Sequence, residues 1–253
     1  MGEQRDKLDG RFGYSTNRDI TIGIGSRFES IDYDPSITSS LEFKGKNNFL
    51  TSYFFIRSNT LDRPLYPRRG FKLEAEADEV FEQNPQVQYF ASVITRTDTS
   101  FSSRPYQRLL FNFDQYMPIA QRYTLLTHLQ GGLNLNYTHN IMNEFSIGGL
   151  TDNFHNQVTF AGLREGTFYS SSIAEILVGL RYQLFSNVFI TGKANILFNN
   201  FVTKSNFFTT PDFLSGYALT FTYNFALGPL ELSAMYSDQS RQVIGYLNIG
   251  IPF

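Results

Sequence analysis

VIGYLNIGIPF, residues 243–253, sets Val243, Leu247, Ile249, Ile251 and Phe253 on one parity. Ile244, Tyr246, Asn248, Gly250 and Pro252 fall on the other. Upstream, YALTFTYNF (217–225) repeats the arrangement: Tyr217, Leu219, Phe221, Tyr223 and Phe225 face one way, Ala218, Thr220, Thr222 and Asn224 the other. Successive strand side chains point to opposite faces, so a period of two is a strand signature. VFITGKANILF (188–198) places Val188, Ile190, Ala194, Ile196 and Phe198 opposite Thr191, Lys193 and Asn195. AEILVGLRYQL (174–184) places Ile176, Val178, Leu180, Tyr182 and Leu184 opposite Glu175, Arg181 and Gln183. Apolar rings on one side and small polar groups on the other fit a wall with lipid outside and a polar lumen inside.

Composition narrows the reading. Charged residues make up 17% of the 253 residues, below the roughly 25% of a soluble domain. Aromatics are abundant, 26 Phe and 15 Tyr without Trp. The 21 Lys and Arg against 23 Asp and Glu give a net charge of -2, so no positive field points to nucleic acid. With no Cys, disulfides, thiolate metal sites and thiol nucleophiles are excluded. No run of 18 apolar residues occurs, and the densest stretch, Ile173 to Leu180, is broken by Glu175, which rules out a transmembrane helix. The start, MGEQRDKLDG, lacks the apolar region of a signal peptide, so export would require a processed precursor.

Turns organise the chain. Ser186-Asn187 and Leu227-Gly228-Pro229 are short, whereas 199–211 and 137–172 are long connections, as on the two rims of an outer-membrane barrel. Strands are expected near 7–15, 19–30, 37–44, 49–58, 70–79, 107–116, 123–135, 173–184, 188–198, 216–225, 229–238 and 243–252. That is about 12, closed by neighbouring terminal strands, with both termini on the periplasmic rim. Val87 to Arg96 is assigned to a β-like extension between Phe81 and Pro105. Residues 1–253 form a single domain: an all-β, closed antiparallel transmembrane β-barrel with a long loop at about 137–172. Tyr123, Phe198, Tyr217, Phe225 and Tyr236, near strand ends, are candidates for a membrane girdle.

Charges sort by the same parity. In FKLEAEADEVF (71–81), Lys72, Glu74, Glu76 and Asp78 share the face opposite Phe71, Leu73, Ala75 and Ala77. They are assigned to the lumen with Arg11, Arg27, Glu29, Glu42, Arg57, Arg108, Asp114, Glu175, Arg181, Lys193 and Glu231. Mixed signs favour a paired, largely closed lumen over a charge-selective pore. Chemistry is not indicated. Glu175 with Glu231, or His128 with Asp114 and a serine, could be drawn as catalytic sets, but no G-x-S-x-G elbow supports them. Asp152, Asn153 and His155 lack metal-site spacing, and His139 reads as a loop residue. No enzyme activity, cofactor or metal is expected.

Three segments in order carry a resemblance. NTLDRPLYPRRGFKLE (59–74) holds a Tyr-Pro-x-x-Gly turn at Tyr66, Pro67 and Gly70. QRLLFNFDQYMPIAQRYTLLTHLQGG (107–132) is a strand–turn–strand unit with Tyr116 and Pro118 before the turn. FAGLREG (160–166) ends the long connection, and Gly228–Phe253 forms a final hairpin. In this order they resemble the BamA-like superfamily of outer-membrane assembly and secretion barrels, especially the barrels of patatin-like proteins of Bacteroidota. That family is typically sixteen-stranded and carries POTRA or patatin domains, which this chain lacks; a reduced member or a fragment is expected.

The resemblance implies that the Phe160–Gly166 loop folds inward and brings Arg164 toward acidic lumen residues, although Glu165 interrupts the family's Arg-Gly-aromatic motif. It implies that Phe253 closes a terminal assembly signal. It also implies the bacterial outer membrane as location and a role in protein transport, assembly or anchoring. The partners would be outer-membrane lipid, lipopolysaccharide, the barrel assembly machinery and a periplasmic protein. A small-solute porin, an outer-membrane phospholipase and a soluble β-sandwich binding protein are the alternatives.

Overall fold

The computed structural model describes residues 2–17, 19–34, 42–83, 86–91, 94–98, 104–137, 143–150, 156–202, 212–226 and 228–250. Eleven strands follow one another in a single antiparallel path: β1 (Gly2–Asn17), β2 (Ile20–Asp34), β3 (Glu42–Asn59), β4 (Gly70–Gln83), β7 (Tyr106–Ala120), β8 (Tyr123–Leu135), β12 (Ser172–Phe185), β13 (Val188–Asn199), β14 (Asp212–Phe225), β15 (Gly228–Ser237) and β16 (Val243–Ile249). Two more, β5 (Gln86–Ala91) and β6 (Ile94–Asp98), form a hairpin that extends the same sheet beside β3. A separate three-stranded sheet of β9 (Phe145–Ile147), β10 (Gln157–Val158) and β11 (Phe168–Ser170) lies within the long connection. No helix among the described residues is long and apolar enough to cross a membrane.

Burial follows the alternation. On β14, Tyr217, Leu219, Phe221 and Tyr223 are exposed while Ala218, Thr220 and Thr222 are buried. On β12, Ile176, Val178 and Leu180 are exposed, and Glu175 and Arg181 are buried. Of the expected girdle residues, Tyr123, Phe198, Tyr217 and Tyr236 are exposed, and Phe225 is partly buried. Exposed apolar side chains in this number, all on one face, need a non-aqueous neighbour.

Among the described residues the expected count of about 12 becomes eleven on the main path. Residues 37–41 of the segment expected at 37–44 lie outside the described residues, and the rest joins 49–58 in one strand, with β3 unbroken from Glu42. Gly45, Asn47 and Asn48 suggest a turn, but the ladder overrides them. Gly45 pairs with Tyr33 of β2 and Val87 of β5, and Asn47 with Ile31. The extension expected at Val87 to Arg96 is the β5–β6 hairpin, off the path.

Closure is corrected as well. Among the described residues β1 pairs only with β2, and β16 only with β15, so the sheet is open. With an odd number of antiparallel strands, β1 and β16 run in the same direction. Joining them would need a parallel ladder, slightly weaker per residue than the antiparallel seam of an even count. The same parity puts residue 2 on the rim of long connections and residue 250 on the other, not both on one rim.

Candidate functional site

The inner face is occupied from two sides. The first occupant is the connection between β8 and β12. Phe145, Ile147, Val158, Phe160 and Leu163 pack against Ile173, Leu197 and Leu214 of the wall. Those three wall residues sit on the polar parity, where alternation alone gives no reason for an apolar side chain. The plug supplies it. Gly162 turns the plug at φ 88°, and a β-carbon there would strike the Tyr236–Ser237 backbone, so glycine permits this approach to β15. The Ser237 hydroxyl donates to the Gly162 carbonyl at 3.2 Å.

The second occupant is the connection between β3 and β4. Asp62 fixes its base by accepting from the backbone N–H groups of Arg68 and Arg69, at 2.9 and 3.2 Å. Partial burial works to raise the Asp62 pKa, but these N–H groups and Arg63 outweigh it and hold the carboxyl below its ordinary value. The tip reaches across the lumen. Tyr66, at φ 51°, stacks on Phe189 with ring centroids 4.8 Å apart. Its hydroxyl donates to Glu231 at 2.9 Å, and Arg181 donates to the Pro67 carbonyl. The guanidinium of Arg181 also lies 5.7 Å from the ring centroids of Tyr66, Tyr116 and Phe189.

The remaining charges expected inside fall into distinct groups. Arg27, 1% exposed, meets Glu76 at 2.6 Å, Asp9 at 3.7 Å and Asp78 at 3.9 Å, while Tyr53 donates to Asp9. Buried Glu29 influences Arg27 electrostatically. Arg108 donates to Tyr106, to Asn134 and to the Asn143 carbonyl of the plug. Glu74 pairs with Lys72 at 3.3 Å and Arg57 at 3.9 Å, at a more open position. His128 contacts Asp114 at 2.8 Å through Nδ1, and its Nε2 faces Gln130 and Glu175 at 3.4 and 4.0 Å; Glu175 accepts from Asn195 at 2.8 Å.

Arg11, on the parity of Asp9 in the edge strand β1, is exposed, as is Arg164, and neither has an ion pair among the described residues. The inward loop touches the last strand through the neighbouring residue: Tyr246 donates to Glu165 at 3.2 Å. Phe253, His139, Asp152, Asn153 and His155 lie outside the described residues, as does the side chain of Glu42. Among the described residues no group of three acidic, His or Cys side chains could hold a metal ion. Sequence reading missed Asp9, Tyr53, Asn134 and Asn143 as lumen partners; the parity of the first three was legible, but the cross-lumen contacts were not, and Asn143 lies in the long connection, where no period applies. It also missed the insertion of Tyr66, which no periodicity announces.

The wall and its occupied interior can be set beside known proteins. The sequence matches the profile of the OMP85 superfamily over residues 13–253. The chain belongs to the OMP85 superfamily. Among solved structures it is similar to BamA from Haemophilus ducreyi lacking POTRA domains 1–3, with TM-score 0.60 and 11% identity over 97% of this chain. The chain spans 62% of the length of that BamA structure. The ferric yersiniabactin uptake receptor FyuA from Yersinia pestis aligns at TM-score 0.43 and 11% identity, over 93% of this chain and 35% of that one. No curated protein matches the sequence. The chain is thus an all-β wall of this superfamily with a BamA-like fold.

Proposed function

We propose that this chain lies in the bacterial outer membrane and serves protein transport, assembly or anchoring there, with its lumen blocked against steady solute flow. The observation that carries this reading is the double occupation of the inner face. The plug around Phe160 and the wedge at Tyr66 both pack into the space a porin would leave open. A narrow wall further limits any channel, because barrel diameter grows with strand number. Lipid meets the exposed apolar face, with lipopolysaccharide as its outer-leaflet component. The barrel assembly machinery would insert the chain, and a periplasmic protein would supply any client. The reading includes no chemical step: the ring nitrogens of His128 contact Asp114, Gln130 and Glu175 rather than a serine hydroxyl.

Planar-bilayer recording of the folded chain tests the reading. The expected trace is quiet, with brief small openings at most. Large, stable channels would overturn it in favour of a small-solute porin.

A further inference from the structure

A chamber of about 460 Å³ lies between the wedge and the plug. Pro64, Tyr66 and Pro67 bound it on one side, and Leu150, Phe160 and Ala161 on the other. Its volume is that of a small-molecule site. Two of its lining cations have no carboxylate partner. Arg181, 5% exposed, has as its partners the Pro67 carbonyl and the surrounding rings. Lys193 has no hydrogen bond or ion pair among the described residues. The two are diagonal neighbours on the inner face of the β12–β13 pair, because Arg181 pairs with Thr191, two residues from Lys193.

The carboxylates that line the same chamber are already engaged. Asp114 is held by His128 at 2.8 Å. Glu231, the acid that acts most on Lys193, accepts from Tyr66 at 2.9 Å and Asn248 at 3.3 Å. Two adjacent like charges repel, and a confined cation without a counter-charge is costly; buried charges are normally paired. Thr191 and Thr220, which pair across β13 and β14, line the chamber beside the two cations and offer hydroxyl donors.

We propose that this chamber binds a small solute bearing a phosphate-class oxyanion, clamped between Arg181 and Lys193 with the Thr191 hydroxyl beside them. The plug and the wedge flank the seat, and the ligand is a free solute rather than a polymer.

Calorimetric titration of the folded chain in detergent, with inorganic phosphate at constant ionic strength, tests this. The wild type is expected to show saturable binding, weakened at least tenfold by Lys193→Met and restored by Lys193→Arg. Lys46→Met, at an exposed site, is the control for general screening and leaves binding unchanged. Heat-modifiable gel mobility establishes that each variant is folded, and Lys193→Gln replaces Lys193→Met should the latter fail to fold. No saturable binding in the wild type, equal binding in the folded Lys193 variant, or equal loss in the Lys46 variant would each overturn the proposal.

Discussion

The inner face of the wall is held in two different ways. Across β1 to β4 it centres on an ionic cluster, with Arg27 gathering Asp9, Glu76 and Asp78, while Tyr53 ties Asp9 to β3; a smaller apolar group of Ile31, Phe49 and Val80 lies on the same face. Across β12 to β14 it is locally apolar, with Ile173, Leu197 and Leu214 covered by Phe145, Ile147, Val158, Phe160 and Leu163. The outer faces of both regions carry the same exposed apolar rows. A uniform exterior is therefore compatible with an interior centred on an ion cluster on one side and on an inserted apolar plug on the other. The interior is where this chain spends its specificity.

Phe160→Ala strikes the packed side. The ring is fully buried, and removing such a ring costs about 3–5 kcal/mol. Equilibrium unfolding in urea should show the loss, with the plug released first in amide exchange. Arg27→Met strikes the ionic side by removing the cation that meets Glu76 at 2.6 Å and Asp78 at 3.9 Å; breaking a buried pair costs about 3 kcal/mol. Adding Glu76→Met to Arg27→Met should recover much of that, because an apolar pair substitutes for an ion pair more cheaply than a stranded charge does. The same kind of second substitution has no counterpart at Phe160. If Arg27→Met proved neutral, the ionic half of the comparison would fail.

Tyr66→Phe keeps the stack on Phe189 and removes the hydroxyl bond to Glu231. A hydrogen bond to a charged group is worth about 1.5–3 kcal/mol, so a loss of about 1.5 kcal/mol is expected, with more frequent small openings in bilayer recordings. Arg164→Ala, at an exposed side chain without an ion pair, should change stability by less than about 0.5 kcal/mol. A larger loss would mean that Arg164 reaches an acid across the lumen. The smallest effect is at Asp62. Its carboxyl is lowered in the folded state, so its stabilisation is present above the ordinary carboxylate pKa and lost as pH falls through the lowered value. NMR titration should move the Arg68 and Arg69 amides together in that acid window, and Asp62→Asn should abolish the shared movement.

The wall was legible in the sequence wherever one face is apolar and the other small or polar, as in β12, β13 and β14. The period of two is local and needs no knowledge of neighbours. It was misread where backbone pairing overrides composition. Gly45 and Asn47 carry turn chemistry, yet ladders to Tyr33, Ile31 and Val87 hold them extended. Leu197 and Leu214 lie on the polar parity and make sense only with the plug in place. The placement of Tyr66 depends on partners 123 and 165 residues away, Phe189 and Glu231, which no local pattern encodes.

Because the chain has no cysteine, single cysteines along β14 can test the two-faced wall directly. Cysteines placed singly at Tyr217, Leu219 and Phe221, and at Ala218, Thr220 and Thr222, would carry a fluorophore in lipid vesicles containing brominated lipid. Quenching should alternate, strong at 217, 219 and 221 and weak at 218, 220 and 222. Uniform quenching along the strand, or none at any position, would contradict a wall that faces lipid on one side and its own inserted segments on the other.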